Sequence, residues 1–261
     1  MQKVLTIAGS DCSGGAGIQA DLKTFSAHGT YGMSVITSVV AENTCEVISI
    51  HDVPVAIIED QLDAVFTDIE PDAVKIGMLS KAETMKAVAG KLRQYQVNRA
   101  VVDPVMIAKG GCALMQEEAL DALLKEVIPV SYLITPNIPE AETILGTVIR
   151  SIEDMRTACQ KIHQLGAANV LVKGGHFEGD PVDILYYGHH YYEFSGKRIH
   201  TKNTHGTGCT LSSAITANLA NGLSLEHAVK EAKIYVANAI LHTTPIGHGN
   251  GPTNHFYQWF K

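Results

Sequence analysis

The chain has 261 residues, 46% hydrophobic and 18% charged, with a net charge of −7. That length and apolar content allow a large buried core, while the negative balance argues against nucleic acid and anionic membrane surfaces as partners. Five cysteines, at 12, 45, 112, 159 and 209, form an odd set without CxxC spacing, which excludes a disulfide framework and a structural zinc site. No apolar run has the length a bilayer requires, and the apolar stretch after Met1 is too short for a signal peptide, so a cytoplasmic location is expected. The absence of a linker, repeat, low-complexity tract or charge block predicts one domain over 1–261.

Residues 3–8 read as a first strand and 17–27 as a first helix, with Gly14-Gly15-Ala16-Gly17 between them. A dinucleotide fingerprint places its glycines directly after the strand; here Ser10-Asp11-Cys12-Ser13 intervene and no GxGxxG occurs. A Walker loop is absent as well, since Gly-Lys-Ser/Thr occurs nowhere. What remains is a glycine rim that lets backbone approach a ligand. Asp21, one turn into the helix, is either a ligand-facing carboxylate or an ordinary partner of the helix dipole.

Further strands are predicted at 34–41, 73–76, 100–103, 132–135 and 169–172, and further helices at 55–66, 82–95, 117–127, 139–145 and 152–165. This alternation predicts an α/β fold with a mostly parallel sheet covered by helices. Residues 182–187 and 190–194, joined by Gly188-His189, break the pattern and predict an antiparallel hairpin at a sheet edge. Helical runs at 211–220 and 224–242 close the chain. Ligands of such sheets bind beyond the carboxyl ends of the strands. Five segments should therefore converge: Gly9-Ser10-Asp11, Gly77-Met78, Asp103-Pro104-Val105-Met106, Thr135-Pro136-Asn137 and Lys173-Gly174-Gly175.

The segment Thr204-His205-Gly206-Thr207-Gly208-Cys209-Thr210 carries the strongest local signal. Small residues between glycines, opening a helix, let successive N–H groups converge on a phosphate, and the same field favours a thiolate at Cys209. A glycine-rich turn with a structural cysteine fits the same residues. Asn137-Ile138-Pro139-Glu140 can orient waters around a magnesium ion or form a capping box. Lys173 offers a cation to a moving phosphoryl group, or is a turn lysine. Lys109-Gly110-Gly111-Cys112 reads as a lid over the site or as a plain connection.

Taken in order, these blocks closely resemble the hydroxymethylpyrimidine and hydroxymethylpyrimidine-phosphate kinases of thiamine biosynthesis, in the ribokinase-like superfamily that also contains pyridoxal kinases. The similarity covers nearly the whole chain. It is carried by Leu5-Thr6-Ile7-Ala8-Gly9-Ser10-Asp11, Ser13 to Thr24, Lys75-Ile76-Gly77-Met78-Leu79, Asp103-Pro104-Val105-Met106, Lys173-Gly174-Gly175-His176, Thr201 to Thr210 and the C-terminal Gly247-His248-Gly249 with Gly251-Pro252. The resemblance implies a three-layer α/β/α sandwich and ATP-dependent phosphorylation of 4-amino-5-hydroxymethyl-2-methylpyrimidine, then of its monophosphate, in one site. It implies that Gly9, Asp21, Met78 and Val105 surround the pyrimidine, that Asn137, Glu140 and Asp103 serve Mg2+ indirectly, and that Lys173 and Thr204 serve the nucleotide. Gly206, Thr207, Gly208 and Cys209 become the anion hole, with Cys209 where sugar kinases place an aspartate base. It also suggests a homodimer. Two departures stand out. Glu42 occupies a position where pyrimidine-reading relatives commonly carry Gln, which leaves a vitamin B6 ring as the alternative acceptor; Ala108 stands where the nearest pyridoxal kinases have a lid cysteine.

Overall fold

Nine strands form one sheet in the order β3-β2-β1-β4-β5-β6-β7-β8-β9. In chain order they are β1 (Lys3–Asp11), β2 (Tyr31–Glu42), β3 (Val47–Asp52), β4 (Ala73–Ile76), β5 (Ala100–Val102), β6 (Leu133–Ile134), β7 (Val170–Val172), β8 (Val182–Tyr187) and β9 (His190–Ser195). From β2 to β7 across the sheet all pairings are parallel, while β3 at one end and the β8–β9 hairpin at the other are antiparallel. The computed structural model describes residues 1–107, 111, 114–116 and 118–259. The proposed lid residues Lys109, Gly110 and Cys112, and Ala108, lie outside them.

The central strands are apolar on both faces because helices cover both. Side chains alternate between layers with period two. Ile76, Val102, Ile134 and Val172 enter the core shared with α2 (Val55–Phe66), α3 (Ala82–Gln94), α5 (Ile138–Leu145) and α6 (Ile152–Gln164). Val101, Leu133, Leu171 and Leu185 enter the opposite core, beneath α7 (Thr207–Ala220) and α8 (Leu225–Leu241). On that same side α1 (Gly17–Ala27) packs against α7, with Phe25 beside Ala217 and Ala220. Among the described residues no helix is long and apolar enough to cross a membrane.

Three elements differ from the sequence expectation. β1 runs on to Asp11, because a register shift between Ala8 and Ser10 carries its pairing with β2 past Gly9. Strand β3 was not expected; Ile48, Ser49, Ile50 and His51 are all exposed, so no buried face marks it in the sequence. The helix expected over 117–127 is α4 (Ala119–Ala122), which widens into a π turn at Leu123–Val127 and then tightens into a 3-10 turn at Ile128–Val130.

Candidate active site

A cavity of about 750 Å³ opens at the carboxyl ends of the parallel strands, within the range of small-molecule sites. All five segments expected to converge reach it: Gly9 and Ser10, Met78, Asp103 with Val105 and Met106, Asn137, and Lys173 with Gly175.

The glycine rim is built by Asp11. Its Oδ1 accepts from Ser13 N at 2.7 Å, and its Oδ2 accepts from Gly15 N at 2.9 Å, Ala16 N at 2.7 Å and His205 Nε2 at 2.9 Å. Burial works to raise its pKa, but His205 and these donors prevail and hold it far below the usual carboxylate range. Gly17 closes the rim at φ 54°, where a Cβ would lie 2.4 Å from Gly9 O.

Gly206 opens α7 in the left-handed region, at φ 75°. A Cβ there would lie 1.7 Å from Gly15 O, so rim and cradle are in direct contact. The first turn of a helix leaves N–H groups without partners inside it; Thr207 N turns back to Thr204 O at 3.4 Å, and Thr207, Gly208 and Cys209 all line the cavity wall. Thr210 Oγ1 ties the turn back to Gly206 O at 2.8 Å.

Behind the cradle sits a buried ion pair. Lys173 Nζ lies 2.7 Å from Asp103 Oδ1, which also accepts from Thr135 Oγ1 at 3.2 Å. A Cβ on Gly208 would meet Asp103 Oδ2 at 3.2 Å and Lys173 Nζ at 3.5 Å, so the cradle backbone lies against both charges. Burial alone would lower the Lys173 pKa, but Asp103 and Glu140 push it above its ordinary value, and the ammonium stays charged.

Asn137 and Glu140 form the capping box: Asn137 Oδ1 accepts from Glu140 N at 2.9 Å, and Glu140 Oε2 accepts from Asn137 N at 2.7 Å. Both residues also line the cavity, so cap and site coincide. Burial, aided by Asp103 and opposed by Lys173, pushes the Glu140 carboxyl up to about 7.

Two expectations need correction. Asp21 does not line the cavity. It is wholly buried, paired with the equally buried Lys75 at 2.8 Å, and accepts from Thr6 Oγ1 at 2.6 Å and Ser213 Oγ at 2.7 Å. An unpaired ammonium within strand β4 would be too costly, so Lys75 takes the nearest carboxylate. Nor is Cys209 a ready thiolate. Its helix N-terminus and Lys75 favour ionisation, but burial, with Asp21 and Asp103 nearby, pushes the thiol up to about 11.

Glu42, Met78, Val105 and Gly9 line the rim end, and Thr204 lies with the cradle, as expected. Burial and the neighbouring Asp11 raise the Glu42 carboxyl to about 7, against the influence of His205. Ligating atoms of Asp11, Glu42 and His205 lie within 4.8 Å of one another. Asp11 already accepts four hydrogen bonds, three at Oδ2 and one at Oδ1, so its charge is committed to the rim amides and His205, and the trio reads as a charge cluster.

Sequence reasoning gave no individual role to Lys75, Asp11 or His205, although Asp11 and His205 fall within segments expected at the site. A lysine inside the four-residue strand Ala73–Ile76 was the legible signal for the first. The apolar part of the lining formed by Ile199, Val236, Ala237 and Ile240 carried no polar motif and was also missed.

The sequence profile of the phosphomethylpyrimidine kinase family matches residues 11–254. The chain belongs to this family. The hydroxymethylpyrimidine/phosphomethylpyrimidine kinase of Bacillus subtilis is 48% identical over 256 residues, covering 97% of this chain and 94% of that protein. The thiamine biosynthesis bifunctional protein ThiED of Geobacter sulfurreducens is 54% identical over 253 residues, but this phosphomethylpyrimidine kinase family member, matched over 97% of its own length, spans only 52% of it. An ADP complex of Bacillus subtilis pyridoxal kinase superposes with a TM-score of 0.93 at 38% identity, covering 100% of both chains. The three-layer ribokinase-like fold is thus shared across both groups.

Proposed function

We propose that this chain is an ATP-dependent kinase that phosphorylates 4-amino-5-hydroxymethyl-2-methylpyrimidine to its monophosphate and then to the diphosphate, for thiamine biosynthesis. The contact between glycine rim and amide cradle carries this reading, because an acceptor against the rim and a phosphoryl group at the cradle would share one cavity. The acceptor lies against Gly9, Met78, Val105 and Glu42. The amides of residues 207–209 stabilise charge on the phosphoryl group in flight, and Lys173 neutralises it from behind. The apolar slot of Ile199, Val236 and Ile240 takes the nucleotide base. Asp103, Asn137 and Glu140 fit a hydrated Mg2+: two buried carboxylates, one held up to about 7 by burial, are a donor set that a cation would satisfy. When bound, that ion supplies charge neutralisation to the phosphates.

In the first transfer the attacker is a neutral alcohol, whose proton Cys209 of the cavity wall takes; in the second it is a phosphate oxygen that already carries charge and needs only positioning. A vitamin B6 acceptor is the second reading, favoured by the whole-chain superposition on a pyridoxal kinase. Steady-state rates with the pyrimidine alcohol, its monophosphate, pyridoxine and pyridoxal decide between them. ADP release with the pyrimidines at higher kcat/KM is expected; a preference for the B6 vitamers transfers the assignment to the second reading, and binding without ADP release ends the kinase proposal. A cytoplasmic homodimer joined through edge strand β3, where Ile48 and Ile50 are exposed, completes the reading. A monomeric mass by sedimentation at micromolar concentration removes that part.

A further inference from the structure

Glu42 ends β2, and the backbone that carries it is held from two sides. Cys12 Sγ meets Glu42 O at 3.1 Å and Glu42 N at 3.4 Å. Two residues on, Thr44 is gripped by the C-terminal glycine strap: His248 N and Gly249 N donate to Thr44 Oγ1 at 3.2 and 3.1 Å, and Asn250 N donates to Thr44 O at 2.8 Å. A Cβ on Gly249 would lie 2.1 Å from Thr44 O, and one on Gly247 would lie 2.3 Å from Thr44 Oγ1, so only glycine permits this grip. The Glu42 carboxylate takes part in none of these bonds and faces the cavity.

The titratable groups around it are Asp11 at the end of β1, the Cys12 thiol that follows, and His205 ahead of α7. Asp11 is held as an anion by the rim amides and His205. A second carboxylate within 4.8 Å of that anion ionises at a cost unless a proton or a cationic donor comes with its partner. The best such partner offers two parallel N–H donors to two oxygens. A protonated ring nitrogen flanked by an exocyclic amine has this shape, whereas a pyridinium offers one donor.

We propose that Glu42 selects the acceptor through a protonated amidine edge, so that an aminopyrimidine is bound as its cation and takes up a proton from solvent at alkaline pH. The inference rests on the pyrimidine reading above and adds to it the ionic form of the ligand and the residue that imposes it. It accords with the raised Glu42 pKa, which marks the same carboxylate as one that keeps a proton when alone.

Calorimetric titration of the full-length protein with the pyrimidine alcohol at about pH 8.5, in two buffers of different ionisation enthalpy, counts the protons. About one proton taken up per bound ligand is expected, with Kd weakening ~tenfold per pH unit above neutrality. Glu42→Gln, and the analogue lacking the exocyclic amine, should both remove the uptake and the slope; pyridoxine should bind at least ~tenfold more weakly than the pyrimidine to wild type. Phosphorylation of the pyrimidine with no proton uptake by wild type overturns this inference and leaves the kinase assignment standing, as does uptake that survives in Glu42→Gln. If Glu42→Gln does not fold, the wild-type count and the analogue still decide. Failure of the pyrimidine to bind or turn over at all removes both claims together.

Discussion

Cys209 gives the sharpest test of how burial competes with a helix N-terminus. Its thiol is pushed up to about 11, so at pH 7 roughly one molecule in 10⁴ is ionised, and at pH 9 roughly one in 10². A well-placed general base contributes about 10²–10⁴-fold when it is in its basic form. Multiplying the two, Cys209→Ala should cost the alcohol transfer at most about twofold at pH 7 and up to about 10²-fold at pH 9. The phosphate transfer, whose attacking oxygen needs no base, should change little at either pH. Initial rates with the alcohol and the monophosphate as separate acceptors, from about pH 6.5 to 9.5, read this directly: the wild-type alcohol rate climbs with hydroxide and the variant's does not. Equal losses with both acceptors would refute a base confined to the alcohol step. A loss of about 10²-fold already present at pH 7 would show that the loaded site ionises the thiol and that burial does not govern it.

Other substitutions probe the scaffold of the site. Asp21→Asn strands the Lys75 ammonium in a fully buried position and should cost about 3–5 kcal/mol in urea unfolding, while an exposed pair such as Lys125–Asp121 should contribute less than about 1 kcal/mol. Gly206→Ala puts a Cβ in the left-handed region and against Gly15 O; turnover should fall by about 10²-fold or more with near-native circular dichroism, and unchanged kinetics would mean that the cradle does not hold the phosphoryl group. The Glu140 carboxyl, raised from 4.5 to about 7, contributes stability that is complete below its ordinary pKa and lost as pH rises through about 7. Glu140→Gln keeps an acceptor for the capping box and removes the titration, so its urea midpoint should fall less than the wild type's between about pH 5 and 8. Parallel midpoint curves would place the titration elsewhere.

Much of this architecture was legible because it rests on local rules. Alternating apolar runs and amphipathic segments predicted the parallel strands, and the hairpin at 182–194 was expected at the sheet edge, where β8 and β9 lie. The convergence of five strand ends followed from the topology of such sheets, and the cavity contains all five. What stayed hidden depended on burial. β3 exposes nearly every side chain and so lacks a period that burial would impose. Asp21 sits one turn into α1 whether it meets ligand or core, and only the depth of Lys75 decides which. For Cys209 the visible helix start pointed to a thiolate, while the deciding desolvation comes from residues distant in the chain.

The placement of the cradle shows most clearly why motif and site are different things. Residues 206–209 open α7 by local geometry alone, but an anion hole serves catalysis only if an acceptor lies beside it. Two side-chain bonds supply that adjacency across most of the chain: His205 to Asp11, separated by 194 residues, and Ser213 to Asp21, separated by 192. The first binds the residue before the cradle to the carboxylate that organises the rim. The second binds the body of α7 to α1, deep against Lys75 of β4. After the hairpin at the sheet edge α7 returns to the middle of the sheet, where it contacts β1, β4, β5 and α1, and the two bonds tie it there. Rim and cradle are therefore joined by one set of long-range bonds, and weakening either bond should loosen both together rather than one alone.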